Sequence, residues 1–345
     1  MPTRVTLIEG DGIGPEVVRA AVRAIEATGA AISWDPRPAG AGAVATHGAP
    51  LPGETLEAIR TTRLCLKGPL ATPIGGGYAS VNVALRREFD LYANVRPART
   101  FAGLPGRYDR VDLVVVRENT QGEYSGIEHY IDPSRSAAEA ISIITRHGCD
   151  RIIRFAFDYA RANRRPRVTL VHKANILKMT SGLFLETGRE IAKAYPDIAF
   201  TDLIVDNTAM QLVRDPSRFD VIVTTNLFGD ILSDLTAGLV GGLGLVAGAN
   251  IGESAAIFEA VHGTAPDIAG RGVANPTAVM LAGAMMLERM GERDRAARLE
   301  NAVREVIGAG QDLTPDLGGG GTTARFTERV MDAIQRHRRA PPAAR

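Results

Sequence analysis

Two cysteines occur in 345 residues, Cys65 and Cys149, and neither is spaced with another cysteine or a histidine as metal ligands are. A disulfide-built scaffold is therefore excluded, and both read as free thiols in a reducing compartment. Charge of one sign is also lacking. The 40 Lys and Arg residues nearly cancel the 39 Asp and Glu, leaving +1, so nothing draws the chain toward nucleic acid or a membrane surface. No apolar run is long enough to span a bilayer. The first strand, Arg4-Val-Thr-Leu-Ile8, follows the start almost at once, with no charged segment and apolar stretch before it, so no signal peptide is visible. These absences predict a cytosolic protein. The basic tail from Arg336 to Arg345 reads as a frayed end.

What is present is a globular composition, 45% hydrophobic and 23% charged, on a length that exceeds one ordinary core. Two domains or lobes are expected. Runs of β-formers at 4–8, 31–34, 63–67, 91–95, 111–116, 167–171, 201–205, 220–224 and 256–261 predict strands. They alternate with helical patterns at 15–28, 53–60, 80–88, 146–162, 176–194, 207–214, 227–239, 276–290, 293–308 and 326–337. That alternation predicts an α/β fold with parallel strands. The segment 123–145 differs, reading as two strands around Asp132-Pro-Ser-Arg135; such a projecting hairpin needs a surface on which to bury its apolar face, and a second subunit would supply one. Gly-rich breaks at 240–252 and 317–321 mark turns or a crossing between lobes.

Chemistry concentrates at a few places. After the β-rich run 220–225, the polar Asn226 can start a helix, which puts Asp230 and Asp234 at i and i+4 on one face. They are either solvated acids or a pair held around a cation, and all-oxygen ligation suits Mg²⁺ or Mn²⁺. Asp206, ending another strand, is a third candidate ligand. Arg86, Arg96 and Arg117 lie in or beside strands, where an arginine is costly to bury without an anion. Internal ion pairs would satisfy each one singly; together they suggest a site for a substrate with several carboxylates. Lys173 emerges from the strand 167–171, either as a snorkelling side chain or as a base. Tyr124 is either a packing residue or a proton donor.

Two glycine-bearing loops add to these. Gly10-Asp-Gly-Ile-Gly-Pro-Glu16 follows the first strand, but its third glycine comes too early for a Rossmann fingerprint and Pro15 takes the first helical position. It is a tight turn whose backbone can also lie against a ligand. The loop from Glu259 to Gly270 brings His262, Thr264 and Asp267 together after a strand. It is either structural or a cradle offering N–H groups to phosphates and a carboxylate to ribose hydroxyls.

Together the blocks GDGIGPE, KGPLATP, DLYANVRP, RENTQGEYSG, VHKANI, NLFGDILSD, EAVHGTAPDIAG and ANPTA resemble the β-decarboxylating dehydrogenases of 2-hydroxy acids. That family includes isocitrate, 3-isopropylmalate, homoisocitrate and tartrate dehydrogenases, and the resemblance runs from about residue 4 to 335. It implies an α/β fold of two lobes around a deep cleft, distinct from a Rossmann domain, with a projecting β clasp. Residues 1–98 with 250–345 would form the large, cofactor-binding lobe, and 99–249 the small lobe with metal site, clasp and dimer interface.

The resemblance also implies roles. Asp230 and Asp234, with Asp206 of a second copy, would hold Mg²⁺ or Mn²⁺. Arg86, Arg96 and Arg117 would bind the substrate carboxylates, with Thr72, Ser80 and Asn82 beside them. Lys173 would accept the hydroxyl proton and Tyr124 would protonate the product of decarboxylation. Lys173, like Asp206, would reach into the partner's cleft of a homodimer. Glu259, His262, Gly263, Thr264, Ala265, Asp267, Ile268 and Asn275 would bind the cofactor. Ser80 and Asn82 match isocitrate enzymes, since isopropylmalate enzymes are apolar there; homoisocitrate or 3-isopropylmalate dehydrogenase is the alternative. Asp267 and Ile268 stand where NADP-using isocitrate enzymes have Lys and Tyr, which implies NAD. Some relatives are non-catalytic regulatory subunits that have lost site residues, whereas every one of these is present here.

Overall fold

The computed structural model describes residues 1–73 and 78–339. The chain runs β1 (Thr3–Ile8), α1 (Gly14–Ala27), β2 (Ile32–Pro36), α2 (Ala41–His47), α3 (Gly53–Thr62), β3 (Leu64–Lys67), α4 (Val81–Glu88), β4 (Ala93–Arg99) and β5 (Asp112–Glu118). It continues with β6 (Glu128–Tyr130), β7 (Ala138–Ala140), α5 (Arg146–Ala162), β8 (Arg167–His172), α6 (Thr180–Ala192), β9 (Ala199–Ile204), α7 (Val205–Arg214), β10 (Val221–Thr224) and α8 (Asn226–Leu239). It closes with β11 (Ala247–Ile251), β12 (Ala256–Ala260), α9 (Thr277–Arg289), α10 (Arg293–Ala309) and α11 (Thr323–Arg339).

Ten strands form one sheet in the order β2-β1-β3-β12-β11-β4-β5-β10-β8-β9. The outer strands pair parallel, as the alternation predicts, but β4 and β11 run antiparallel to their neighbours. The strand β11 lies inside the Gly-rich stretch 240–252 that reads as a break in sequence. Alanine, glycine and asparagine are poor β-formers, so only pairing with β4 and β12 on both sides makes Ala247–Ile251 a strand. The first helical turn expected at 176–179 is instead a non-helical connection, and α6 begins at Thr180. The basic tail is helical through 339, where Arg336 and His337 both reach Glu305; residues 340–345 lie outside the described residues. The hairpin of β6 and β7 forms with only three residues per strand, all exposed.

Both faces of the sheet are covered, but differently. One face carries a continuous apolar core: Leu7, Leu66, Phe258, Ala249, Val95, Val116, Val223 and Leu170 follow one another across the strands beneath α1, α5, α9 and α10. The other face carries two separate apolar clusters. One gathers Ile8, Cys65, Ile257 and Leu85 near the β1 end, and the other gathers Val115, Ile222, Val171 and Leu232 near the β9 end. Side chains alternate along a strand, so Asn94, Arg96 and Asn250, next to Val95 and Ala249, necessarily point to this second face. There they form a buried polar strip between the two clusters.

Candidate active site

The strip is built from strand ends. Glu259 is register partner of Lys67, Asn250 of Asn94, and Asn94 of Arg117, so these pairings bring the groups into one row. Arg117 is 1% exposed. Its Nε and Nη2 donate to Asn226 Oδ1 at 3.0 and 2.7 Å, and its Nη1 bonds Asp230. Arg96 donates from Nη1 to Ser233 Oγ at 2.6 Å and lies 3.4 Å from Asp234 and 3.6 Å from Asp230. Arg86, on α4, is 4.0 Å from Glu259. The three arginines chosen from sequence therefore converge along this strip, close enough for each charge to act on the others.

Their charges are only partly balanced: Asp230, Asp234 and Glu259 face the three guanidiniums, and Lys67 adds a further positive charge. Burial lowers the Arg117 guanidinium below its ordinary range, and Arg96 and Arg86 add repulsion. Burial likewise lowers Arg96, partly offset by Asp230. Arg86 Nε, Arg96 Nε and Asn82 Oδ1 are buried with no hydrogen-bond partner. Leaving such a group unpaired costs on the order of 1–3 kcal/mol. A cleft with three guanidiniums and orphaned donors is fitted to a polyanionic occupant.

Asp230 accepts from Tyr124 Oη at 2.5 Å as well as from Arg117. Burial acts to raise its carboxyl, but Arg117, the Tyr124 bond and Arg96 outweigh it and hold the group below the usual carboxylate range. Asp234, more exposed and less well paired, is pushed above that range, its partial desolvation outweighing Arg96. The i, i+4 expectation for this pair is met on α8: both Oδ1 atoms lie within 4.0 Å of the same Arg96 nitrogen. Burial raises the Tyr124 phenol, and its bond to Asp230 adds to the rise, so it holds its proton firmly.

Asp206 and Lys173 stand apart from this cluster and pair with each other. The Lys173 bond lowers the Asp206 carboxyl. Among the described residues no three Asp, Glu, His or Cys side chains of one chain converge as metal ligands. Ser80 caps α4, its Oγ accepting from Val83 N at 3.5 Å and from Thr72 at 3.4 Å.

The two glycine-bearing loops meet. Ile13 N donates to Thr264 O at 2.9 Å, and a Cβ on Gly12 would overlap that carbonyl, which accounts for glycine there. Asp11 is absorbed structurally, accepting from Ala71 N at 2.8 Å and Ala41 N at 3.1 Å. In the second loop Ala265 adopts a φ of 37°, Gly263 and Asp267 are exposed, and Ile268 packs partly against the core. His262 Nδ1 meets Gly263 O at 3.0 Å while its Nε2 is buried without a partner, and burial lowers its pKa. Asn275 uses both ends of its amide, donating to Asp316 at 2.9 Å and accepting from Thr277 N at 3.0 Å. Glu259 is separate from the exposed loop. It pairs with Lys67 at 2.7 Å and accepts from Asn250 at 2.7 Å, and although burial opposes ionisation Lys67 and Arg86 lower its pKa to about 2.

Several of these groups escape sequence reading. Lys67 ends an apolar strand as Arg96 and Arg117 do, and that same signal could have found it. Asn94, Asn119 and Asn250 form a buried amide cluster, with Asn250 Oδ1 accepting at 2.8 and 3.0 Å from the other two; nothing local marks it, because it exists only through pairing across β11.

The family model for isocitrate/isopropylmalate dehydrogenase matches residues 4–334. A Caenorhabditis elegans protein named as a probable mitochondrial alpha subunit of NAD isocitrate dehydrogenase is 51% identical, over 96% of this chain and 92% of that one. A Dictyostelium discoideum protein named as a mitochondrial regulatory subunit of NAD isocitrate dehydrogenase is 48% identical over 96% and 92%. The crystal structure of an isocitrate dehydrogenase from Methylococcus capsulatus superposes with a TM-score of 0.95 at 62% identity, covering 97% of this chain and 100% of that one. The names of the curated relatives place them in mitochondria, which overturns the expectation of a cytosolic protein. That expectation rested on free thiols, balanced charge and the lack of a visible signal peptide or spanning run, and none of these separates one reducing compartment from another. The fold, by contrast, is the one the motifs imply, and the chain belongs to the isocitrate/isopropylmalate dehydrogenase family.

Proposed function

We propose that this chain is a catalytic NAD-dependent isocitrate dehydrogenase, oxidatively decarboxylating isocitrate to 2-oxoglutarate. The observation that carries the reading is the convergence of Arg86, Arg96 and Arg117 on a cleft whose buried Arg86 Nε, Arg96 Nε and Asn82 Oδ1 have no partner. The carboxylates of a tricarboxylate would answer the excess positive charge and accept from Arg86 Nε and Arg96 Nε, while the Asn82 amide could donate from Nδ2 to a carboxylate and accept at Oδ1 from the substrate hydroxyl. An isopropyl substituent would leave Asn82 unpaired, at about 1–3 kcal/mol. The relatives named as NAD isocitrate dehydrogenase subunits agree with this choice.

The arginines clamp carboxylates through bidentate hydrogen bonds, with Thr72, Ser80 and Asn82 along the α4 side. Tyr124 keeps its proton until the substrate carbon gains electron density, then donates it; Asp230 orients the hydroxyl. Asp230 and Asp234 fit a hard divalent cation, since both are oxygen donors that already face one positive nitrogen. Mg²⁺ or Mn²⁺ held there would polarise the substrate oxygen and stabilise negative charge developing on it. The loop 259–270 is fitted to NAD, which would supply the hydride acceptor: His262 Nε2 is an orphan and the Asp267 carboxylate is exposed and able to accept from ribose.

Lys173 and Asp206 would complete the cleft of a second copy, as general base and third cation ligand. Homodimerisation is supported by exposed apolar side chains on the hairpin, Ile127, Tyr130, Ile131, Ile141 and Ile143, and by Ile176 and Met179 beside Lys173. The division into lobes 1–98 with 250–345 and 99–249 is supported by the two separate apolar clusters flanking the polar strip.

Purified chain, assayed alone with isocitrate, homoisocitrate, 3-isopropylmalate, malate and tartrate against NAD and NADP, tests the whole reading. The highest kcat/KM is expected for isocitrate with NAD. No turnover by well-folded chain would point instead to a regulatory role, and a higher value for another acid would refute the substrate.

A further inference from the structure

The continuous core face holds a second recess, remote from the polar strip. Between α5 and the pair α9 and α10 lies a groove of about 550 Å³, within the usual size of small-molecule sites. Val95, Ala249 and Phe258 floor it, and Phe155, Tyr159 and Leu281 wall it. The floor residues alternate along their strands with Asn94, Arg96, Asn250 and Glu259, so the groove and the candidate active site occupy opposite faces of the same sheet.

At one end the groove reaches Arg293 and Asp294, which also line a polar recess of about 410 Å³ with Arg295, Arg298 and Arg338. Four arginines face two carboxylates there, Glu292 and Asp294. Arg295 is paired with Glu292. Arg298 donates to Thr28 O at 3.0 Å, and among the described residues neither it nor Arg293 nor Arg338 has a carboxylate within ion-pair distance. The recess also lies at the N-terminus of the 17-residue helix α10, whose dipole favours an anion.

We propose that groove and recess form one site for an amphipathic phosphate monoester, its apolar chain in the groove and its head at Arg293, Arg298 and Arg338. The two parts share Arg293 and Asp294 in their linings; the groove supplies the apolar floor and walls, with paired charges such as Arg304 and Glu300 at its rim, and the recess supplies guanidiniums with no carboxylate partner. The reaction at the polar strip uses neither.

Decyl phosphate, decanol and inorganic phosphate, titrated calorimetrically into the full chain below the micelle concentration, test this. One decyl phosphate is expected per chain, with decanol and inorganic phosphate each at least about tenfold weaker. Arg338→Glu should weaken decyl phosphate about tenfold and leave decanol unchanged, since Arg338 lines the recess and not the groove. Ala297→Trp, on the exposed groove side of α10, should weaken both. Binding of decyl phosphate that survives both substitutions, or that decanol equals, would overturn the proposal. The readout needs no turnover, so it stands or falls apart from the proposed activity.

Discussion

Gly229 lies directly beneath the Arg117 side chain: a Cβ built on the glycine would stand 2.5 Å from Arg117 Cγ and 2.7 Å from its Cβ. Mid-helix glycine ordinarily costs about 0.5–1 kcal/mol relative to alanine. Its presence in α8 is therefore a steric requirement of the buried arginine. Gly229→Ala should displace Arg117 from Asn226 and Asp230. We expect kcat/KM for isocitrate to fall on the order of 100-fold, as misplacement by an ångström does, and stability to drop by about 1–3 kcal/mol from overpacking. Unchanged kinetics in the variant would show that Arg117 has no part in the site.

Glu259 supplies a pH prediction. Its folded pKa of about 2 lies below the ordinary carboxyl value of 4.5, despite burial, because Lys67 and Arg86 hold the charge. A depressed carboxyl stabilises the fold above its unfolded pKa and ceases to do so as pH falls through the folded value. Between about pH 4.5 and 2 the unfolded chain binds the extra proton, so stability should decline there by on the order of 3 kcal/mol from this group. Glu259→Gln should be less stable at neutral pH and show a flatter stability curve across that window. Equal slopes in urea unfolding of the two proteins between about pH 5 and 3 would count against the ion pair.

Arg117 and Glu259 also differ in how visible their settings are in sequence. Arg117 ends an apolar strand, and a charge in that position is conspicuous. Asp230 and Asp234 are legible because helical spacing alone puts them on one face. The arginines' convergence is different, since Arg86, Arg96 and Arg117 meet only through strand order. Still less visible is β11, whose Ala-Gly-Ala-Asn run has weak β-propensity and becomes a strand by pairing with β4 and β12. With β11 unseen, the Asn94, Asn119 and Asn250 amides cannot be placed together, nor Glu259 beside Arg86. Lys67 is legible by the same criterion that selects the arginines. The connection before α6 misleads for a local reason: residues 176–179 carry helical composition, but their backbone turns back onto Lys173, with Ile176 N and Leu177 N both donating to Lys173 O.

Removing divalent cations should abolish turnover, and Mg²⁺ or Mn²⁺ should restore it. The structural motive is the Asp230 and Asp234 carboxylates facing a common positive nitrogen. Asp230→Asn should lose activity with its circular dichroism unchanged, whereas Asp234→Asn, at a carboxyl less strongly held, should raise the cation concentration needed for half-activity. Full turnover of EDTA-treated enzyme, with metal content verified by elemental analysis, would eliminate the cation from the mechanism.

Lys173 pairs with Asp206 and neither reaches Asp230 within its own chain. If their sites are completed across a dimer, inactive Lys173→Ala and inactive Asp230→Asn chains should complement on mixing. One of the two hybrid clefts would hold every group intact, so verified heterodimers should recover up to about half of wild-type activity per dimer, each acid–base residue being worth about 10²–10⁴-fold. Heterodimers as inactive as either parent would place all these groups in a single chain's cleft.

On the proposed function, cofactor choice would turn on Asp267, whose exposed carboxylate lies in the loop anchored by the Ile13 to Thr264 hydrogen bond. A carboxylate there accepts from ribose hydroxyls and repels a 2′-phosphate. Wild-type enzyme should therefore prefer NAD to NADP. Asp267→Lys alone removes the repulsion and adds one cation, while Ile268→Tyr adds a hydroxyl beside it. The double variant should raise kcat/KM for NADP and lower it for NAD, by about tenfold or more in their ratio for each 1.4 kcal/mol of altered binding. The substitutions sit on an exposed turn, so folding should survive them and the kinetics can be read directly. Comparable wild-type use of both dinucleotides, or a ratio unmoved by the double substitution, would remove Asp267 from the ribose and require a different cradle.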